Sequence, residues 1–366
     1  VRVLLDGRAL QPEMDGIGRY TSAISSRLPA LRPSWQFTLV VSRGAAHHIP
    51  SAPNLSVIES PVPRFRPGEK RGLAGIVATS KPDLVHGFSM AGPVYDGIPA
   101  TFTIHDLMVL ELEGYFGPSR VRNALFRKVF RKLIERSTAA ASALVVPTEW
   151  VADRLVAMFP GTAGRIAVIY EGQDLFDPMR SGGGPQRGDF LLYVGNARAY
   201  KNIPNLLRAL SVVAGRGLLP PVVMVVRRDR AFGDLSKAIS AAGLSGRIEV
   251  LSAVPEEKLR ELYSTCLAFV SPSLSEGFGL PVLEAMAAGA PVLASRGTAL
   301  EEVAGDGALL VDPRDPEAIA AGVAELCGSA EMRSELSAKA SARSILFSWE
   351  AASAQIADML EGVLTR

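Results

Sequence analysis

The chain has 366 residues, 48% hydrophobic and 21% charged, with a formal net charge of +2. That length exceeds one typical core and suits two domains. The near-balanced charge excludes a dedicated nucleic-acid binder, which carries a strong basic excess. The charge is uneven along the chain. Through Gln186 there are 21 Lys and Arg against 16 Asp and Glu, a net of +5; from Arg187 onward there are 18 against 21, a net of −3. A basic first half suits an anionic partner or a membrane surface. Cys266 and Cys327 have no metal-ligand spacing and form no C-x-x-C motif, so a reducing compartment is expected. No apolar run reaches transmembrane length, and Val1–Asp6 is too short for a secretory leader. The expected location is cytoplasmic, with peripheral contact at the inner face of a membrane.

Short apolar, β-branched runs alternate with helical stretches. Val1–Leu5, Phe37–Val41, Leu84–His86, Ala100–Ile104, Leu144–Val146 and Ile166–Tyr170 read as strands of a first half. Phe190–Val194, Val222–Val226, Ile248–Leu251, Leu267–Val270, Pro291–Ala294 and Ala308–Val311 read as strands of a second. Continuous apolar strands separated by helices imply parallel sheets covered on both faces. The predicted fold class is α/β, two Rossmann-like domains with a cleft between them, ligands lying at the carboxyl ends of the strands. The Gly-rich stretch Ser181–Gly188 is the predicted linker.

Taken in order, the first strand leads to Gly16-Ile-Gly18, read as a flexible loop before a helix through Leu28 and able to cradle a pyrophosphate. The spacing G-x-G-x-x-T is not a dinucleotide fingerprint, and a surface turn explains it equally well. Pro61–Gly75, with Arg64, Arg66, Lys70 and Arg71, reads as a mobile basic loop, solvated or in contact with phospholipid head groups. His105 and Asp106 follow a buried strand, where a His serves as general base or hydroxyl partner, or caps the strand end. Glu111–Gly117 is read as a loop carrying Tyr115 and Phe116. A basic amphipathic helix follows over Arg120–Ala139, with Val121, Leu125, Val129, Phe130 and Leu133 at helical spacing. It suits either a membrane surface or a core helix with a basic outer face. Thr148 reads as a helix N-cap.

In the second half, Gly195 allows a sharp turn after a strand, and Asn196, Arg198 and Lys201 follow before a helix from Ile203. Two cations at a helix start suit a diphosphate. The densest stretch is Ser271–Ser295. Glu276 and Glu284 flank Gly277-Phe278-Gly279-Leu280-Pro281. Gly277 and Gly279 let a ligand approach the main chain, and Pro281 marks the first turn of a helix whose N-terminus favours an anion. A carboxylate beside an anion-binding loop suits a nucleotide sugar. An ordinary β-α-β turn is the plainer alternative.

Glu276-Gly-Phe-Gly-Leu-Pro-Val-Leu-Glu284 resembles the E-x7-E signature of retaining family 4 glycosyltransferases with the GT-B fold. Pro272-Ser273 before it and Ala285–Val292 after it extend the likeness. Gly195 through Asn202, Gly16–Tyr20, His105-Asp-Leu107 and Phe347-Ser-Trp349 resemble other segments of that family. The resemblance implies an acceptor domain over 1–180, a nucleotide-sugar donor domain over 187–345, and a C-terminal helix over 346–366 packing back on the first domain. It implies transfer of a sugar, mannose by the His-Asp-Leu segment, from a GDP- or UDP-linked donor to the hydroxyl of a glycan, polysaccharide or lipid-linked acceptor. Glu284 would hold the ribose, Glu276 would sit near the sugar, and Arg198 and Lys201 would neutralise the departing diphosphate. Gly16, Gly18, Gly195, Asn196 and the Gly277–Leu280 backbone would line the donor. His105 would face the sugar, with Asp106 and Tyr115 toward the acceptor. No cofactor is implied. No D-x-D pair stands near these segments, so no bound metal is required. Asn196 departs from the arginine many members carry there, and Arg227–Arg230 replaces a glycine near the expected base pocket. The alternatives are a GT-B sugar epimerase and a non-catalytic two-domain binding protein.

Overall fold

The computed structural model describes residues 1–117, 119–176, 188–227 and 234–365. The chain divides into two compact units, Val1–Gly172 with Ser348–Arg366, and Gln173–Phe347. Most of the Ser181–Gly188 linker, and Arg228 to Arg230, lie outside the described residues.

The first unit is built on a seven-stranded parallel sheet: β1 (Arg2–Gly7), β2 (Gln36–Ser42), β3 (Leu55–Ser60), β4 (Leu84–Gly87), β5 (Ala100–Thr103), β6 (Ala141–Val146) and β7 (Ile166–Val168). The order is β3-β2-β1-β4-β5-β6-β7, so the winding reverses between β1 and β4. β1, β4 and β5 are buried nearly throughout, as strands covered on both faces by helices must be. β3 was not predicted. It is a sheet edge with mostly half-exposed residues and no continuous apolar run.

Two expected loops are helical. Gly16 and Gly18 lie in the first turn of helix Gly16–Leu31, not in a loop before it, because the Asp15 side chain caps that turn by accepting from the Gly18 amide at 2.9 Å. Pro61–Gly75 contains the start of helix Glu69–Ser80, entered through Gly68 at φ 88°. Arg8, 1% exposed, ties this segment to the sheet. Its guanidinium grips Asp6 with two hydrogen bonds of 2.7 and 2.6 Å, donates to the Val62 carbonyl at 3.1 Å and reaches Glu69 at 2.5 Å.

Helix Trp349–Leu364 completes the first unit. It buries Trp349, Ile356, Ala357, Leu360 and Val363. It lies along helix Gly16–Leu31, with ion pairs Arg27–Glu350 (2.9 Å) and Arg32–Asp358 (2.6 Å) at the rim.

The second unit carries six parallel strands: β8 (Leu191–Gly195), β9 (Val222–Val226), β10 (Ile248–Leu251), β11 (Ala268–Ser271), β12 (Val292–Ser295) and β13 (Ala308–Val311). The order is β10-β9-β8-β11-β12-β13, reversing between β8 and β11. In such sheets the crevice for ligands opens beyond the carboxyl ends of the strands at the reversal. Among the described residues, no helix is long and apolar enough to cross a membrane.

Candidate functional site

In the second unit the segments after β8 and β11 leave adjacent strands at the reversal and are sewn together. Leu274 N–H donates to the Tyr200 carbonyl at 2.7 Å. Asn202 sits in the left-handed region at φ 61°, which Asn tolerates better than most residues. Its side-chain amide donates to the Pro272 carbonyl (2.9 Å) and to the Pro313 carbonyl (2.6 Å). This brings Lys201 against Glu276, with Nζ 2.7 Å from Oε1 and both side chains nearly buried. Burial pulls the Lys201 ammonium toward neutrality, but the Glu276 charge, assisted by Tyr200 and Tyr193, overrides it and holds its pKa above the ordinary lysine value. A buried, fixed ammonium therefore stands at the carboxyl ends of the central strands.

The neighbouring groups hold that geometry. A Cβ on Gly195 would lie 2.9 Å from the Tyr193 hydroxyl, so glycine leaves room for that ring, and would only touch Lys201 Cε at 3.4 Å. Asn196 braces the turn by donating to the Tyr200 hydroxyl at 2.8 Å and accepting from the Arg198 amide at 3.1 Å. Arg198 is exposed at the mouth of this turn. Gly279, at φ 100°, precedes helix Leu280–Ala287, and among the described residues no side chain caps that helix. An uncapped N-terminus offers amides to an anion. Phe278 turns its side chain into the core against Leu283, Val303 and Phe347. Glu284 is buried and accepts a 2.7 Å hydrogen bond from the Tyr263 hydroxyl.

The first unit holds the other sequence-selected residues. His105 lies just beyond β5, 7% exposed. Its Nδ1 is 3.1 Å from Oε1 of Glu171, a buried residue that follows β7. Its Nε2 is buried and has no hydrogen-bond partner among the described residues. The Tyr20 ring packs edge-on against the imidazole, centroids 4.6 Å apart at 88°. Beneath them runs a buried polar chain. The Tyr20 hydroxyl meets Thr103 Oγ1 at 3.3 Å, Thr103 meets His86 Nε2 at 3.4 Å, and His86 Nδ1 meets Thr101 Oγ1 at 2.8 Å. Burial, reinforced by His105, lowers the His86 pKa to about 3, so this core imidazole stays neutral. Asp106 accepts from the Met108 amide at 2.9 Å. Tyr115 packs edge-on against Phe116. Gly16 and Gly18 stand at the N-terminus of their helix, with the Gly18 amide given to Asp15.

The sequence assigns no site role to Glu171, His86 or Tyr263, nor to the hydroxyls of Ser273 and Ser275, which are buried and have no hydrogen-bond partner among the described residues. Only Glu171 left a signal, a carboxylate directly after a predicted strand and before a glycine. The glycine has a spatial reason. A Cβ on Gly172 would lie 2.2 Å from the Trp349 amide nitrogen and 2.5 Å from the Ser348 carbonyl carbon. The chain beside Glu171 thus abuts the start of the last helix backbone to backbone.

Residues 14–175 match the family model for Glycosyltransferase Family 4, and residues 179–343 match that for Glycosyl transferases group 1. The O-antigen chain mannosyltransferase B of Escherichia coli is 25% identical over 96% of this chain and 97% of its own length. The MMP alpha-(1->4)-mannosyltransferase of Mycolicibacterium hassiacum is 28% identical over 74% of this chain and 67% of its own. Among solved structures, a sucrose-phosphate synthase from Thermosynechococcus elongatus superposes with a TM-score of 0.79 at 20% identity, over 100% of this chain and 99% of that one.

Proposed function

The chain belongs to the glycosyltransferases, with a family 4 domain followed by a group 1 domain in a GT-B fold, and from that membership we propose that it moves mannose from a GDP-linked donor to an acceptor hydroxyl of a growing glycan, with retention at the anomeric carbon. The observation that carries this reading is the buried Lys201–Glu276 pair at the sheet reversal, beside the uncapped N-terminus of helix Leu280–Ala287. A diphosphate leaving group gains negative charge in the transition state. A fixed ammonium and a helix N-terminus stabilise that charge more than the ground state, which is what accelerates a reaction. In this reading Lys201 and Arg198 meet the diphosphate without needing a metal. Glu284, oriented by Tyr263, accepts from the ribose hydroxyls. Glu276 and the Gly277–Leu280 backbone meet the sugar, and His105 Nε2 meets one of its hydroxyls. Departure and attack occur on the same sugar face, the leaving phosphate taking the acceptor proton. The choice of mannose is supported by the two relatives named as mannosyltransferases. A thermal-shift series over nucleoside diphosphates and their sugars tests the donor. A ligand at 100 times its Kd stabilises the folded state by about 2.7 kcal/mol, so GDP and GDP-mannose should raise Tm by several degrees. A shift with UDP compounds alone would move the proposal to a UDP donor, and no shift with any would defeat it.

A membrane-surface role belongs to the same proposal. Helix Arg120–Ala140 turns Asn123 and Ile134 inward but leaves Val121 (81%), Leu125 (60%) and Val129 (43%) exposed. The sequence grouped these three with Phe130 and Leu133 on one apolar face. They instead form an outer stripe among Arg122, Lys128, Lys132 and Arg136, all exposed. Apolar side chains set among cations suit the interface of an anionic bilayer, where each cation contributes about 1 kcal/mol. The protein should cosediment with phosphatidylglycerol vesicles and not with phosphatidylcholine vesicles. Exchange of Val121, Leu125 and Val129 for serine should weaken binding about tenfold or more. Equal binding to both vesicle types would refute the role.

A further inference from the structure

We propose that Glu171 is a positioning residue for His105: its carboxylate holds the imidazole in the tautomer protonated at Nδ1 and leaves Nε2 as a hydrogen-bond acceptor for a sugar hydroxyl. The inference rests on the reading of His105 as the residue that meets the sugar.

Three observations carry it. The first is the contact itself. An ionised carboxylate has acceptors only. At 3.1 Å, with both side chains buried, Glu171 Oε1 therefore takes its hydrogen bond from an Nδ1–H. Which imidazole nitrogen is protonated follows from the partner of the other. In the tautomer that this contact selects, the lone pair lies at Nε2. The second is that Nε2 is buried and has no partner among the described residues. A buried polar atom left unpaired is costly. A hydroxyl that donates to it removes that cost when the ligand binds. The third is that the ring is fixed from two further directions. Tyr20 packs against it edge-on, and Tyr20 is itself held by Thr103 and by the Trp349 ring at 5.8 Å. Glu171 in turn is set by its neighbour Gly172, whose backbone lies against Ser348 and Trp349. Orientation and tautomer are thus both determined before any sugar arrives. This preorganisation is the means by which a second residue improves a first.

Glu171→Gln is the informative variant. It keeps shape and hydrogen-bonding capacity but offers an amide N–H that can donate to Nδ1, which would reverse the tautomer. With ¹⁵N-labelled histidine, two-bond ¹H–¹⁵N spectra at pH 8 distinguish a protonated from an unprotonated ring nitrogen. The chain has four histidines, and a His105→Ala spectrum assigns the signal. In the wild type, His105 should show a protonated Nδ1 and an unprotonated Nε2. In Glu171→Gln the Nε2 signal should move toward the protonated form, and kcat/KM for sugar transfer should fall roughly tenfold to a hundredfold. Glu171→Asp should recover part of that loss with the wild-type tautomer. A wild-type His105 protonated at Nε2, or a tautomer unchanged by Glu171→Gln, overturns the proposal. So does a transfer rate untouched by Glu171→Gln while His105→Ala is crippled. If His105→Ala transfers sugar like the wild type, the reading of His105 itself fails and the inference falls with it.

Discussion

Lys201→Ala should lower kcat by about 10²–10³ while changing donor affinity by less than about tenfold. The estimate is that for one preorganised donor aimed at charge that appears in the transition state. The ground-state donor already carries its diphosphate charge, and Arg198 and the helix amides still meet it in this reading. The loss therefore falls on the chemical step. The substitution also has a structural effect that must be separated from the chemistry. Glu276 would be left buried without its cation, an arrangement that costs about 3–5 kcal/mol. Removing both charges in Lys201→Ala/Glu276→Gln should recover much of that stability and none of the rate. Denaturant unfolding and single-turnover transfer on the two variants resolve the two effects. Equal loss of rate and affinity would favour a protein that binds the donor without turning it over. Lys201 should not make the stability sensitive to pH near neutrality. The folded ammonium is held above its unfolded value, so its contribution is full below about pH 10 and is lost only as pH rises further.

Acidification from pH 7 to pH 5 should cost the first unit about 2 kcal/mol through His86 alone. The folded imidazole has a pKa of about 3, against roughly 6.5 in the unfolded chain. Between these values the unfolded state binds the extra proton, so stability falls as pH falls through the window, by about 1.4 kcal/mol per unit. The cause is desolvation. His86 is fully buried between Thr101 and Thr103 with Phe88 edge-on against it, and His105 is near. His86→Gln should flatten the dependence between pH 7 and 5. The measurement is selective, because the three tryptophans, Trp35, Trp150 and Trp349, all belong to the first unit. Their fluorescence follows the unfolding of that unit and not of the other. A wild-type midpoint that does not move over this range would show that His86 reaches solvent or a counter-charge.

These two residues mark what can and cannot be read from sequence. The strands were legible wherever both faces are buried, since such strands are continuous apolar runs. β3 was not, because its exposure at the edge breaks the run. Lys201 and Glu276 could be singled out from their glycine-rich, strand-ending context. Their ion pair could not, because it depends on β8 and β11 being neighbours across the 72 residues from Asn196 to Leu267, a fact of topology and not of pattern. Gly16 and Gly18 read as a loop because glycine is a poor helix former, whereas the Asp15 cap makes that turn helical. His86 gave no signal. A histidine inside an apolar strand looks the same whether solvent reaches it or not. Val121, Leu125 and Val129 have helical periodicity, but periodicity does not say which side of a helix meets the core.

The last helix carries a consequence for the order of events in synthesis. The sheet of the first unit is translated by residue 172, and the helix that covers it begins at Ser348–Trp349, so the whole second unit, Gln173–Phe347, lies between. At about 5–20 residues per second those 175 residues take roughly 9–35 s to make. Throughout that interval the groove awaiting Trp349, Ile356 and Leu360 is open on the ribosome, while the second unit is free to fold as soon as it emerges. The first domain to be translated is thus the last to be finished, and it is in that interval that a holding chaperone has apolar surface to bind.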